Sequence, residues 1–236
     1  MIQFYSPDIL TTLRLPESDS GHAVRVLRLG SGDHIQVIDG HGNIYECVIT
    51  DPHPRHAIIE VIDTHVQPLP WRQRIAVAVA PTKHADRMEW LVEKLVEVGV
   101  NRIIPMLTAR SERKVIKRER LEKIAVAAMK QSLKAVLPEI DEMTPLRDVI
   151  GLMPDAQRFV GYCDPAVERR DFAADYIPGH DTLLLIGPEG DFTPDEIKAV
   201  IESGITPVTF GANRLRTETA ALYGVHACPV IAARGS

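Results

Sequence analysis

Residues 182–203 constrain the fold more than any other part of the sequence. They open with a continuous apolar run, Leu183-Leu184-Leu185-Ile186, which is typical of a strand in the middle of a parallel sheet. A turn with two glycines, residues 187–192, follows directly. Thr193 as N-cap, Pro194 at the first helical position and Glu196 then form a capping box that predicts a helix. The segment therefore predicts a strand, a tight turn and a helix in succession.

The rest of the chain divides into a β-rich part and an alternating part. Short runs at 34–38, 44–49 and 57–62, separated by glycine and proline turns, predict a small β-barrel. Residues 64–74 resemble a linker. The later sequence predicts strands at 75–80, 102–107, 158–162, 182–186 and 206–210, and helices at 86–98, 118–134, 194–203 and from Thr217. Such alternation predicts a mostly parallel sheet with helices on both faces. The turn after Ile186 then lies at the carboxyl end of a strand, where such sheets bind ligands.

Charge is distributed unevenly along the chain. The formal net charge of −5 argues against a nucleic-acid partner, but residues 66–150 hold 16 Lys/Arg against 11 Asp/Glu. Nine basic residues and three acidic ones fall within 110–134. Such a stretch can bind phosphate on an acidic protein, or it can be an ordinary solvated helix face. Charge alone leaves these two interpretations equally open.

Several protein classes receive no support from the sequence. No apolar run approaches the roughly 20 residues that a membrane helix requires, and the N-terminus lacks the pattern of a signal peptide. We therefore expect a cytoplasmic protein without membrane contact. Cys47, Cys163 and Cys228 lie far apart without a CxxC pair, so we expect buried, inert thiols and no metal site. The turn at 187–192 is neither a P-loop nor GxGxxG, which weakens the nucleoside triphosphate and dinucleotide hypotheses.

A second motif follows about twenty residues later. After the strand at 206–210 comes Leu215-Arg216-Thr217-Glu218-Thr219-Ala220, in which Thr217 is predicted to cap a helix and Glu218 to lie in its first turn. Arg216 is not needed for folding, and its guanidinium suits an anion or the carbonyl oxygens of a base.

Together the two motifs resemble a known enzyme family. Leu-Leu-Ile-Gly-Pro-Glu-Gly-Asp-Phe at 184–192 and Leu-Arg-Thr-Glu-Thr-Ala at 215–220 closely resemble the ribosomal small-subunit RNA uridine-N3 methyltransferases of the knotted SPOUT superfamily. Weaker matches occur at 24–29 with 32–33, at 87–94, at 97–100 with 105, and at 131–132 with 138–139. The chain departs from the family pattern at Lys130, where an acidic residue is frequent, and at Asn213-Arg214.

The resemblance implies an architecture and a reaction. The architecture is an N-terminal PUA-like β-barrel for RNA binding over 1–66, followed over 74–236 by an α/β SPOUT domain with a trefoil knot that forms a homodimer. The reaction is transfer of a methyl group from S-adenosylmethionine to N3 of a uridine in 16S rRNA, within the small ribosomal subunit. The resemblance places the cofactor in three loops, at 162–165, 186–190 and 210–220.

Individual residues receive expected roles from the resemblance and from their chemistry. Arg216 is expected to stabilise negative charge on the uridine, with Glu218 or Glu89 as the base. The residues expected at the cofactor are Tyr162, Ile186, Gly187, Pro188, Gly190, Phe210, Gly211, Leu215, Arg216, Thr219 and Ala220. The residues expected at RNA are Arg25, Arg28, Lys83, Arg87, Arg110, Arg113, Lys114, Lys117 and Lys134. Two alternatives stay open, namely a ribose 2′-O-methyltransferase on the same scaffold and a non-catalytic RNA-binding protein.

Overall fold

The computed structural model describes residues 3–234, which form two compact units. The first unit contains the chain up to Pro70 together with Val126–Leu137, and the second contains Trp71–Ala125 and the chain from Pro138 onward. The division after Pro70 falls within the predicted linker. The split differs from the predicted boundaries in one respect, because Val126–Leu137 belongs to the first unit.

The first unit is built on a mixed four-stranded sheet. Its strands are β1 (Gln3–Tyr5), β2 (His34–Ile38), β3 (Asn43–Asp51) and β4 (Ile58–Val66), in that order, with β1 parallel to β2 and the other pairs antiparallel. Strand β4 includes residues 64–66, which were predicted as linker. Between β1 and β2 lie helices α1 (Ile9–Thr12) and α2 (Glu17–Gly21) and a π-helical turn (His22–Val26). The predicted β-rich N-terminal domain is confirmed.

Lys130 has a structural role in this first unit. Its ammonium donates to both carboxylate oxygens of Asp19, at 2.8 and 3.1 Å, and Asp19 also accepts the backbone N–H of Tyr5. Asp19 is buried, so the lysine provides the positive charge that a buried carboxylate needs. This contact accounts for a basic residue at position 130.

The second unit contains a parallel sheet. Its elements are β5 (Ile75–Val79), α3 (Ala85–Val98), β6 (Arg102–Leu107), the start of α4 (Arg118–Gln131), β7 (Glu139–Ile140), β8 (Thr144–Pro145), α5 (Leu146–Val149), β9 (Gln157–Gly161), β10 (Arg170–Asp171), α6 (Phe172–Asp175), β11 (Thr182–Ile186), α7 (Pro194–Glu202), β12 (Thr206–Thr209) and α8 (Thr217–Arg234). The strand order is β10-β12-β9-β11-β5-β6-β7, and every pair is parallel. The short strand β8 pairs with β6 further along. The predicted α/β class is confirmed.

Local sequence signals account for several element ends. The capping box of Thr193 and Glu196 starts α7, and Gly99, at φ +85°, ends α3 in the left-handed conformation. Helix α4 ends at Gln131, before the predicted Lys134, because Leu133 adopts a left-handed φ of +54° that a continuing helix excludes. Within residues 3–234, no helix combines the length and apolar character needed to cross a membrane.

Strand β11 lies at the centre of the second unit. All five of its residues are buried, and it pairs with β9 on one side and β5 on the other. Helix α8 packs against β11, β5 and α3. Because the neighbours are parallel and β9 also pairs with β12, the loops that follow β9, β11 and β12 emerge at the same edge of the sheet.

The first glycine after β11 is packed tightly against the core. A Cβ on Gly187 would lie 2.9 Å from Cε2 of Phe192, whose side chain is fully buried. A Cβ on Gly190, in the same turn, would meet the side chain of Arg110, with Cδ at 3.5 Å and Cβ at 3.7 Å, which are ordinary contacts. Neither glycine has a positive φ. The two glycines therefore differ in how tightly their surroundings are packed, and neither needs a left-handed backbone conformation.

This difference predicts unequal effects of one substitution at two positions. Gly187→Ala should lower the free energy of unfolding by about 1–3 kcal/mol, because the new methyl group overpacks against Phe192. Gly190→Ala is the matched control and should stay within about 0.5 kcal/mol of the unsubstituted protein. Urea denaturation followed by circular dichroism measures both. Equal stabilities for the two variants would contradict the packing argument.

Candidate active site

Three loops at the carboxyl edge of the sheet enclose a cleft of about 810 Å³. The first loop follows β9, the second follows β11, and the third joins β12 to α8. The residues that line the cleft are Gly161, Tyr162, Cys163, Asp164, Pro165, Arg169, Ile186, Gly187, Pro188, Glu189, Asp191, Val208, Thr209, Phe210, Gly211, Ala212, Asn213, Arg214, Leu215, Arg216, Thr217 and Ala220. Its volume falls within the roughly 300–1,000 Å³ typical of small-molecule sites.

Most residues expected at the cofactor line this cleft. The exceptions are Gly190 and Thr219, which are not part of its wall. The carbonyl of Gly190 instead accepts a hydrogen bond from Arg110 at 2.7 Å. Thr219 is exposed in the first turn of α8. The three loops meet as the resemblance implied, and the role of each residue stays a prediction.

Sequence reasoning missed five lining residues, namely Gly161, Arg169, Asp191, Val208 and Thr209. Arg169 donates to the carbonyls of Tyr162 and Cys163, at 3.1 and 3.0 Å, and so supports the first loop. The register of β12 beside β9 places Val208 and Thr209 at the cleft. Asp191 lies within the motif at 184–192, one residue beyond the loop bounds that the resemblance implied. No motif marks the other four positions, because tertiary contacts place them at the cleft.

Two side chains tie the loops together. Thr217, which is buried, donates its hydroxyl to the carbonyl of Gly187 at 3.1 Å and joins the third loop to the second. The prediction that Thr217 caps α8 is wrong, because Thr217 is the first residue of the helix and its hydroxyl is used in this contact. Asp191 joins the second loop to the first by accepting the N–H of Cys163 at 3.0 Å.

Phe210 occupies a slot that two glycines leave open. A Cβ on Gly161 would lie 2.9 Å from Cε2 of Phe210, and one on Gly224 would lie 3.1 Å from its Cζ. The ring also contacts those of Phe172 and Tyr223, with centroids 5.3 and 5.7 Å away. The absence of side chains at these glycines therefore sets the position of one wall of the cleft.

The cleft contains both acidic and basic groups. Burial, followed by the charge of Asp191, raises the pKa of both Tyr162 and Cys163. Cys47 and Cys228 are buried as expected, but Cys163 is exposed, so the expectation of three buried thiols is wrong at that position. Its raised pKa keeps the thiol protonated and poorly nucleophilic at neutral pH.

The three residues expected to act in catalysis have different surroundings. Arg216 lines the cleft, is exposed, and within residues 3–234 its guanidinium has no hydrogen-bond or ion-pair partner. Glu218 is buried outside the cleft wall, with Oε1 3.8 Å from Nη1 of Arg87 and Oε2 without a hydrogen-bond partner in the described part of the chain. Arg216 is therefore placed to contact a bound molecule directly.

Glu89 is the weakest of the three candidates for a catalytic role. Both of its carboxylate oxygens accept from Arg120, one of them at 2.8 Å, and it does not line the cleft. The hydrogen bond from Arg120 is the main cause that lowers the pKa of Glu89. A carboxylate with a lowered pKa is a poorer proton acceptor. The geometry thus disfavours Glu89 as the base.

The residues expected at RNA separate into free and engaged side chains. Four are engaged: Lys83 pairs with Glu112, Arg87 lies beside Glu218, Arg110 holds the second loop, and Arg113 donates to the carbonyls of Thr82 and Lys83. Lys134 is half-buried. The side chains of Arg25, Arg28, Lys114 and Lys117 are exposed and have no ion pair with any residue of 3–234. In the same range, no group of three or more His, Cys, Asp or Glu side chains is arranged to hold a metal ion.

Comparison with known proteins assigns the chain to a family. A model described as "RNA methyltransferase domain" matches residues 69–228, and one described as "RNA methyltransferase PUA domain" matches 15–62. A crystal structure of a probable rRNA-methyltransferase from Porphyromonas gingivalis is 42% identical, with a TM-score of 0.95 and full coverage of both chains.

Two further relatives carry a more specific name. Ribosomal RNA small subunit methyltransferase E of Bacillus subtilis is 27% identical over 92% of this chain and 89% of that protein. The enzyme of the same name from Neisseria gonorrhoeae, solved bound to S-adenosyl methionine, is 25% identical, with a TM-score of 0.86 and 98% coverage of each chain. Since the matched domain spans more than half of the sequence, the chain belongs to the RNA methyltransferase domain family.

Proposed function

We propose that this protein transfers a methyl group from S-adenosylmethionine to N3 of a specific uridine in the 16S rRNA of the small ribosomal subunit. One observation carries the proposal. The loops that bear the two family motifs meet in a single cleft, and the unpaired guanidinium of Arg216 lies in its wall. Relatives named ribosomal RNA small subunit methyltransferase E support the choice of substrate.

The cleft fits the proposed cofactor chemically. Ile186 and Leu215 are apolar side chains in its wall suited to the adenine ring. The carboxylate of Asp164 suits a molecule that carries a sulfonium and an ammonium group, and Arg169 and Arg214 suit its carboxylate. When bound, S-adenosylmethionine supplies a methyl group that its sulfonium already activates.

The chain then has to position the uridine and manage one proton. Uridine N3 is a weakly acidic imide that must lose its proton for methylation. Arg216 stabilises the negative charge that develops on the adjoining carbonyl oxygens. Glu218, in the first turn of α8 two residues further on, is the proposed proton acceptor, because Glu89 is held by Arg120. Orientation of the reactants in the cleft contributes several kcal/mol, up to roughly 7–11, to lowering the barrier.

The first experiment identifies the reaction. Small subunits from cells that lack this protein are incubated with it and with S-adenosylmethionine that carries a radioactive label in its methyl group. The 16S rRNA is then analysed for incorporated label and by primer extension. An N3-methyl group blocks base pairing, so we expect one new stop at a uridine. A 2′-O-methyl group leaves base pairing intact, so incorporated label without a stop would favour the ribose alternative. Absence of both label and calorimetric cofactor binding would favour the non-catalytic RNA-binding alternative.

Substitution of Arg216 and Glu218 tests the mechanism. Arg216→Ala should lower methyl transfer by about 10²–10³-fold, as expected for loss of a group that stabilises developing charge. Glu218→Gln keeps the shape of the side chain and should lower the rate by about 10²-fold. Arg170→Ala is the control, since Arg170 is exposed, pairs with Asp175 and lies outside the cleft. Near-normal turnover in either test variant removes that residue from the mechanism.

Basic side chains outside the cleft are proposed to bind phosphate. Lys114 and Lys117 are better candidates than Arg113, whose guanidinium already binds two carbonyls. Replacing both lysines by Ala should reduce the slope of log affinity against log salt by about 1.5, at roughly 0.7–0.9 per phosphate contact. Lys198→Ala on α7, an exposed lysine outside the basic stretch, is the control. An unchanged slope in the double variant would refute this placement.

The trefoil knot, the homodimer and a cytoplasmic location complete the proposal. Exposed apolar side chains on the helices of the second unit, Trp90 on α3 and Tyr223 and Val230 on α8, support burial against a second copy. Light scattering should give twice the protomer mass. Val230→Glu should shift the mass towards one protomer, whereas Val115→Glu, at a still more exposed valine, should not. A monomeric unsubstituted protein would contradict the dimer.

A further inference from the structure

Asp191 has an unusual backbone conformation for a residue with a side chain. Its φ is +59°, in the left-handed region, whereas the preceding Gly190 does not have a positive φ. The strained position therefore falls on the aspartate although a glycine adjoins it. Asp and Asn tolerate this region better than other side chains, but glycine adopts it with the least strain. Such strain is a reason to ask what the carboxylate does.

The carboxylate of Asp191 links two walls of the cleft. Oδ2 accepts the backbone N–H of Cys163 in the first loop at 3.0 Å, and Oδ1 accepts the N–H of Phe192 at 2.9 Å. The N–H of Asp191 itself donates to the carbonyl of Pro188, which closes the turn. Both loops line the cleft, and Asp191 lines it between them.

The other ties of these loops do not replace this one. Arg110 holds the second loop from outside through the carbonyls of Gly190 and Phe192, and Thr217 joins that loop to the third. Arg169 supports the first loop alone. Within residues 3–234, the bond from Cys163 to Asp191 is the hydrogen bond that connects the first loop to the second.

We propose that Asp191 is a positioning residue whose carboxylate clasps the first loop to the second and holds the cleft in its binding shape before S-adenosylmethionine enters. This role rests on the proposed function, because it names the ligand of the cleft. A cleft that is already shaped avoids the cost of ordering two loops during binding. The left-handed φ is the conformation in which the carboxylate reaches both N–H groups.

Replacing Asp191 by glycine separates the effect of the carboxylate contacts from the effect of the backbone strain. Asp191→Gly removes the carboxylate but also relieves the left-handed φ, so the protein should keep the stability of the unsubstituted chain. Its affinity for S-adenosylmethionine should nevertheless fall by about tenfold, roughly what loss of one or two hydrogen bonds produces. Asp191→Ala loses the clasp without that relief and should lose both stability and affinity. Asp195→Ala, an exposed carboxylate outside the cleft, is the control and should change neither.

Isothermal titration with S-adenosylmethionine and with S-adenosylhomocysteine, beside urea denaturation, provides the measurement. If Asp191 acts as a clasp, its loss weakens binding of both ligands equally. If Asp191 instead attracts the sulfonium directly, its loss weakens binding of S-adenosylmethionine alone. Steady-state kinetics of Asp191→Gly should show a KM for the cofactor raised about tenfold, with kcat at saturation within about twofold.

Each result decides between the possibilities. Equal loss of both ligands in a stable Asp191→Gly variant supports the clasp. Unchanged affinity in that variant, or loss for S-adenosylmethionine alone, overturns it while the proposed function stands. Failure of the unsubstituted protein to bind S-adenosylmethionine overturns the proposed function and this role together.

Discussion

The parallel register of β9, β11 and β12 is the constraint on which the active site depends. Parallel strands end at the same edge of a sheet, so three loops that are distant in sequence meet there. The central strand, β11, is buried along its whole length and cannot shift without exposing apolar side chains to water. The cleft is therefore positioned by the core beneath it.

Short polar contacts turn this meeting of loops into a defined cleft. Thr217 joins the third loop to the second, and Asp191 joins the second to the first. Phe210 fills the slot that Gly161 and Gly224 leave open. Each contact depends on a small or polar residue whose partner is distant in sequence, so the contact is visible only in the folded structure. Arg216 remains without a partner in residues 3–234, which suits a group that acts on a bound molecule.

Features encoded by neighbouring residues could be predicted from the sequence, and features encoded by distant ones could not. The apolar run of β11 and the capping box of α7 are local signals, and the structure confirms them. The φ of Asp191 and the pairing of Glu89 with Arg120 depend on packing that no motif shows. Arg110 and Arg113 resembled RNA contacts by charge, whereas the folded chain uses them to hold loops.

In the function that we propose, this cleft serves methylation of uridine N3 in small-subunit rRNA. Mass mapping of 16S rRNA from cells with and without this protein tests it most directly. We expect one fragment that is lighter by a single methyl group in the deficient cells, with the missing methyl on the base of one uridine. Identical maps from the two kinds of cell, or loss of a methyl from a ribose, would contradict it.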